Sequence, residues 1–182
     1  GQDCCARSRF IVHQKIYDRF LDALVKKTKT MKVGDPMDPK TEVGPMISAA
    51  QRKTVLGYVA YGQQEKAKLL CGGTIPVAAN GKSKGYYILP AVFADAKTNM
   101  KIVREEIFGP VVAVMPFKDE EEAVRLANDT IYGLSGSLWT RDIGRAIRVA
   151  KAVKTGVISV NSSSSVHLEA PFGGYKQSGM AR

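Results

Sequence analysis

Histidine is almost missing from this chain: His13 and His167 are the only two in 182 residues. Together with three cysteines, two of them adjacent, they give no zinc-ligand spacing, so no metal site is expected. The odd cysteine count also argues against a disulfide framework and for a reducing cytoplasm. No apolar run approaches membrane-spanning length, and the N-terminus has no signal-peptide core, so no membrane partner is expected. Neither G-x-G-x-x-G nor G-x-x-x-x-G-K-[ST] occurs, so both common nucleotide fingerprints are lacking. An initiator Met is lacking too, and the chain is expected to be a piece of a longer one.

Acidic residues are scarce relative to basic ones, 17 against 27, giving a formal net charge of +10. Such a surplus raises nucleic-acid binding. The basic residues are dispersed, however, and the densest cluster, Lys26-Lys27-Thr28-Lys29-Thr30-Met31-Lys32, reads as the solvated face and last turn of a helix. No aromatic-rich RNA-binding motif accompanies it. A nucleotide cofactor or an anionic neighbouring domain suits the charge as well, and nucleic acid is not the expected partner. The remaining composition, 45% hydrophobic and 24% charged, is that of one ordinary globular domain with a buried core.

Strand-like and helix-like segments alternate. Arg9 to His13 reads as a strand, followed by an amphipathic helix from about Ile16 to Thr30 with Phe20, Leu21, Leu24 and Val25 on one side. Val33 to Met46 is a Gly/Pro/Asp-rich connection. Ser48 caps a helix to about Lys66, Lys68 to Cys71 is a short strand, and Asn80-Gly81-Lys82-Ser83 is a polar turn before Tyr86 to Phe93. Val111 to Phe117 is nearly all apolar, as in a strand covered on both faces. Asp119 caps a helix to near Asn128, Leu134 to Thr140 is a strand, and Asp142 caps a helix striped by Ile143, Ala146, Ile147 and Ala150. Gly156 to Asn161 is the last strand. The order predicts an α/β fold, a doubly wound, mainly parallel sheet with helices on both faces, whose ligands gather at strand carboxyl ends such as Asn161.

Three segments carry candidate chemistry. Cys4, in Gly1-Gln2-Asp3-Cys4-Cys5-Ala6-Arg7-Ser8-Arg9, reads either as a thiolate nucleophile beside two arginines or as a small buried hydrophobe. Cys5 is expected to point away from it as a pocket wall, and Cys71 to lie in the core. Glu105-Glu106-Ile107-Phe108-Gly109-Pro110 reads plainly as a helix end with exposed glutamates and a core Phe108. Pro171-Phe172-Gly173-Gly174-Tyr175-Lys176-Gln177-Ser178-Gly179 is a glycine-rich loop. Ser162 to Ser165 is a serine run of the kind loops contain.

In this order and spacing, the segments resemble the catalytic domain of the NAD(P)-dependent aldehyde dehydrogenase superfamily across essentially the whole chain. Gly-Gln-any-Cys resembles the family's active-site signature and implies Cys4, not Cys5, as nucleophile. Glu106 to Pro110 resembles the cofactor-ribose segment, and Asn161, ten residues before Pro171-Phe172-Gly173-Gly174, resembles the strand and loop lining the aldehyde tunnel. The resemblance implies oxidation of a small-molecule aldehyde to an acid through a Cys4 thiohemiacetal and thioester. The Cys4 backbone N–H would hold the oxyanion, a donor worth about 3 kcal/mol. The cofactor is NAD or NADP: Glu106 would bind its nicotinamide ribose, Phe108 would pack on the nicotinamide side, and Gln51 would touch the adenosine side.

The same resemblance implies what residues 1–182 lack. The family's general base, its second oxyanion donor and most of its cofactor domain precede the cysteine, and its oligomerisation tail follows a second glycine where Ala181 and Arg182 stand. The single domain is therefore expected to be inactive alone, within a homo-oligomeric parent enzyme. A shortened, non-catalytic homologue acting as a binding module is the alternative. Asp3, Cys5, Ser164, Val166 and Phe172 are expected to line the substrate pocket, with Asp3 and Glu169 favouring a cationic aldehyde.

Overall fold

A computed structural model describes residues 1–77 and 85–180; the expected turn at 80–83 and the terminal Ala181-Arg182 lie outside them. The chain divides into two units, Gly1–Pro116 and Phe117–Arg182.

In the first unit, β1 (Arg9–His13) leads through a 3-10 turn into α1 (Tyr17–Thr30), and α2 (Ala49–Gln64) follows the irregular connection. Then come β2 (Lys68–Cys71), β3 (Ala91–Ala94), the one-turn α3 (Lys101–Arg104) and β4 (Val111–Phe117). Ser48 caps α2, its Oγ accepting from the Gln51 N–H at 3.1 Å. The strands form one sheet in the order β1-β4-β3-β2. β3 and β4 are parallel, whereas β2 runs antiparallel to β3, with a register shift between Leu69 and Cys71.

Strand side chains alternate between faces, and that period sorts the core. Ala91, Phe93, Val111, Ala113 and Met115 pack with Val55 and Val59 of α2 and with Ile102 and Val103 of α3. Val92, Val112 and Val114 pack instead with Tyr17, Phe20, Leu21, Leu24 and Val25 of α1. Helices therefore cover both faces, as expected for a doubly wound sheet. Cys71 lies half-buried against the α1 cluster, where burial pushes its thiol above the ordinary value. The Tyr17 hydroxyl accepts from the Asp95 N–H at 2.8 Å and faces Asp95 Oδ1 and the Val114 carbonyl, both at 3.2 Å. Burial pushes its phenol up to about 12.

In the second unit, α4 (Glu120–Asn128) and α5 (Ile143–Ala152) start at Asp119 and Asp142, whose carboxylates each accept a backbone N–H at 2.9 Å. The strand expected over 134–140 is shortened. A separate β5 (Tyr132–Gly133) precedes it, and only β6 (Ser135–Leu138) falls within it, parallel to β7 (Val157–Val160). The glycine-rich loop supplies an unforeseen strand, β8 (Tyr175–Lys176), antiparallel to β5. Of the α5 stripe only Ala146 is buried; Ile143 and Ile147 stay exposed.

Candidate functional site

Three stretches of the first unit meet around the cysteine pair. Residues 3–6 fold into a tight turn: the Ala6 N–H donates to the Asp3 carbonyl at 3.0 Å, and the Cys5 N–H donates to Asp3 Oδ1 at 3.2 Å. Arg7 closes it from outside by donating to the Cys5 carbonyl. The turn brings consecutive side chains together, so the expectation that Cys5 points away from Cys4 is wrong. Their sulfurs lie 3.8 Å apart. Cys4 is exposed and Cys5 half-buried. Burial, and then the contact with Cys4, push the Cys5 thiol above its ordinary value. A raised value lowers the thiolate fraction of Cys5 and makes it a poor nucleophile. All three cysteines are free thiols.

Gln2 ties this turn to the entrance of α2. Its Nε2 donates to the Pro45 carbonyl at 3.3 Å, and its Oε1 accepts from the Ile47 N–H at 2.9 Å. The sequence reading gave Gln2 no role; the sign lay in its place, two residues before the cysteine. One turn into α2, Gln51 reaches the third stretch, its Nε2 donating to the carbonyls of Ile107 at 3.1 Å and Phe108 at 3.0 Å. The Gln51 amide thus holds a backbone turn, a structural duty that no cofactor-contact reading foresaw.

That turn is unusual in its own right. Phe108 has φ +51° and is 40% exposed as a residue, so it is not the core residue a plain reading expects. Ile107 beside it is buried and fixes the turn in the core. Gly109 has no room for a side chain, since a Cβ there would stand 2.4 Å from Val55 Cγ2. A Cβ on Gly1 would stand 2.2 Å from the Gly109 carbonyl oxygen, so the start of the cysteine segment lies directly on this turn. Tyr58 donates to Glu105 at 2.8 Å. Glu106 is exposed, and among the described residues nothing bonds its carboxylate. An unengaged carboxylate, which accepts hydroxyl hydrogen bonds, and an exposed aromatic residue two positions on, held by Gln51 and Ile107, fit a ribose and a flat heterocycle.

The other expected site residues belong to the second unit. Asn161 has φ +54°, which asparagine tolerates, and pairs its side chain with the Thr140 backbone N–H at 2.9 Å and carbonyl at 3.0 Å. Trp139, Thr140, Arg141 and Asn161 line an open cleft. Ser164 and Val166 are exposed, Phe172 is half-buried, and the buried serine of the run is Ser165, which accepts from Ser135 Oγ at 2.8 Å. No helix among the described residues is long and apolar enough to cross a membrane.

A model of the aldehyde dehydrogenase family matches residues 1–182. The betaine aldehyde dehydrogenase of Brucella melitensis is 46% identical over the full chain, which spans 37% of that protein. A crystal structure of betaine aldehyde dehydrogenase from Staphylococcus aureus in complex with NAD+ superposes with a TM-score of 0.95 and 42% identity, covering 98% of this chain and 35% of its own. An aldehyde dehydrogenase from Bacillus cereus does so with a TM-score of 0.94 and 43% identity, over 99% of this chain and 36% of its own. The chain thus spans little more than a third of the relatives it matches.

Proposed function

The chain belongs to the aldehyde dehydrogenase family, and on that footing we propose that residues 1–182 are the catalytic domain of an NAD(P)-dependent aldehyde dehydrogenase. It acts within a polypeptide of its relatives' length, in a reducing compartment such as the cytoplasm, as the free thiols suit. One observation carries the reading. The segment of an exposed cysteine rests through Gly1 on the turn that displays Glu106 and Phe108.

Cys4 is the nucleophile: its sulfur adds to the aldehyde carbonyl to give a thiohemiacetal and later carries the acyl group as a thioester, which water cleaves. The Cys4 backbone N–H is bonded to no protein group among the described residues, so it is open to the developing oxyanion. Glu106 accepts from the nicotinamide ribose hydroxyls, and Phe108 packs on the nicotinamide side. Bound there, the dinucleotide supplies the hydride acceptor. Gln51 keeps that turn in shape and touches the adenosine side of the dinucleotide. Asp3 and Cys5 flank the nucleophile, and the family resemblance makes Ser164, Val166 and Phe172 the further substrate candidates.

A cationic aldehyde is the favoured substrate class. Asp3 offers negative charge beside Cys4, and relatives are named for betaine aldehyde, whose ammonium group is positive. The test is reduction of NAD+ with betaine aldehyde by the full-length enzyme and its Cys4→Ala variant. The variant is expected to lose roughly 10⁴-fold or more in kcat. Retained turnover would remove Cys4 from the chemistry, and an inactive wild type would favour the non-catalytic module.

A further inference from the structure

We propose that Asp3, Cys4 and Cys5 form a binding site for a soft divalent cation of the zinc class, which competes with the aldehyde for the Cys4 sulfur. The distance between the sulfurs decides between the two things a vicinal pair can do. A disulfide needs its sulfurs about 2.05 Å apart. The observed 3.8 Å would have to close by nearly half. A tetrahedral cation with metal–sulfur bonds of about 2.3 Å needs its thiolates about 3.8 Å apart. The pair already stands at that edge length.

Asp3 supplies a third ligand. Its carboxylate oxygen and the two sulfurs all lie within 4.8 Å of one another. The turn that gathers them is held by the Ala6-to-Asp3 and Cys5-to-Asp3 hydrogen bonds, so little order is lost on binding. Exposure of Cys4 leaves the fourth position to water. Mixed sulfur and oxygen donors suit zinc and cobalt over magnesium or calcium. Binding breaks two S–H bonds, forms two metal–sulfur bonds and sends both protons to solvent. The sequence reading excluded zinc because metal motifs space their ligands along the chain. Three contiguous ligands on one turn fall outside that rule.

Binding itself is independent of the function proposed above; only its inhibitory consequence rests on Cys4 being the nucleophile. The experiment measures Zn2+ affinity of the reduced full-length protein by competition with a chromophoric chelator, and uses Co2+ as an optical probe. One equivalent is expected, with thiolate-to-cobalt charge-transfer absorption and release of protons. Loss of an outer-shell partner already weakens metal sites about 10- to 100-fold, so Cys5→Ser should weaken Zn2+ by at least about tenfold and diminish the absorption. Asp3→Asn should weaken Zn2+ while retaining it. Absence of stoichiometric uptake, equal affinity of Cys5→Ser, or loss of two free thiols to a disulfide in place of binding would each overturn the proposal. An active dehydrogenase that ignores zinc removes this site alone. A protein that binds zinc but never turns over removes the dehydrogenase reading alone.

Discussion

Phe108 sits where a side chain normally costs about 1–2 kcal/mol, in the left-handed region at φ +51°. Two amide hydrogen bonds from Gln51 and the burial of Ile107 hold it there, and the result is an exposed aromatic residue beside an unengaged Glu106. A strained residue held in place by its surroundings is a reason to test it for a binding role. Phe108→Asn therefore separates the two roles, because asparagine accepts this backbone and lacks the ring. The variant is expected to be neutral or up to about 1 kcal/mol more stable in urea unfolding. Its KM for the dinucleotide should rise about fivefold, the worth of one lost ring contact of about 1 kcal/mol. Unchanged KM would show that the ring contacts no cofactor. None of this strain was legible beforehand: a phenylalanine in an apolar stretch reads as core, and the sign of φ leaves no trace in a lone residue. The Cys4–Cys5 geometry escaped for a similar reason, since the turn depends on an Asp3 bond that residue types alone do not announce.

At the scale of elements, the caps were the most readable feature. Ser48, Asp119 and Asp142 each accept the N–H three residues on, at the helix starts expected of them. β8 was unreadable because two residues in a glycine-rich loop carry no period. What the caps do not reveal is the tie between α4 and α5. Glu120 accepts from Arg145 at 3.1 Å and from Arg148 at 2.9 Å, and those guanidinium groups, Arg148 first, hold its carboxyl below the ordinary value. The Arg145 N–H does the same for Asp142. Both folded values are depressed, so their stabilisation is complete above the ordinary carboxylate value of about 4.3 and fades as pH falls through the lower folded values. The second unit is expected to lose stability as pH falls below the ordinary carboxylate value, and Glu120→Gln should flatten that decline. The single tryptophan, Trp139, belongs to this unit, so urea titrations followed by its fluorescence at pH 7 and pH 3 report the difference. Equal declines in both proteins would show that the pairs are solvated and contribute nothing.

For the molecule as a whole, apolar runs conveyed the layering more than the order of pairing. Val111 to Phe117 announced a strand covered on both faces, and alternate residues of β3 and β4 do enter different clusters. The antiparallel β2 edge is less visible, because a four-residue strand reads alike in either direction. Candidate residues could be nominated wherever a motif surrounded them, as with Cys4 and Glu106, whose roles are proposals. They were poorly legible in Ser162 to Ser165, where identical side chains hide that Ser165 alone is buried. The two-faced core makes a quantitative demand. Phe93 belongs to the cluster under α2 and α3, and Leu24 to the cluster under α1. Phe93→Leu should cost about 1 kcal/mol, and Leu24→Ala, only partly buried, about 2 kcal/mol. Residues without shared partners add within about 0.5 kcal/mol, so the double variant should lose close to the sum in urea unfolding. A coupling above about 1 kcal/mol would mean that the sheet does not insulate its faces. The clusters would then form one continuous core, and the doubly wound description of the first unit would have to be given up.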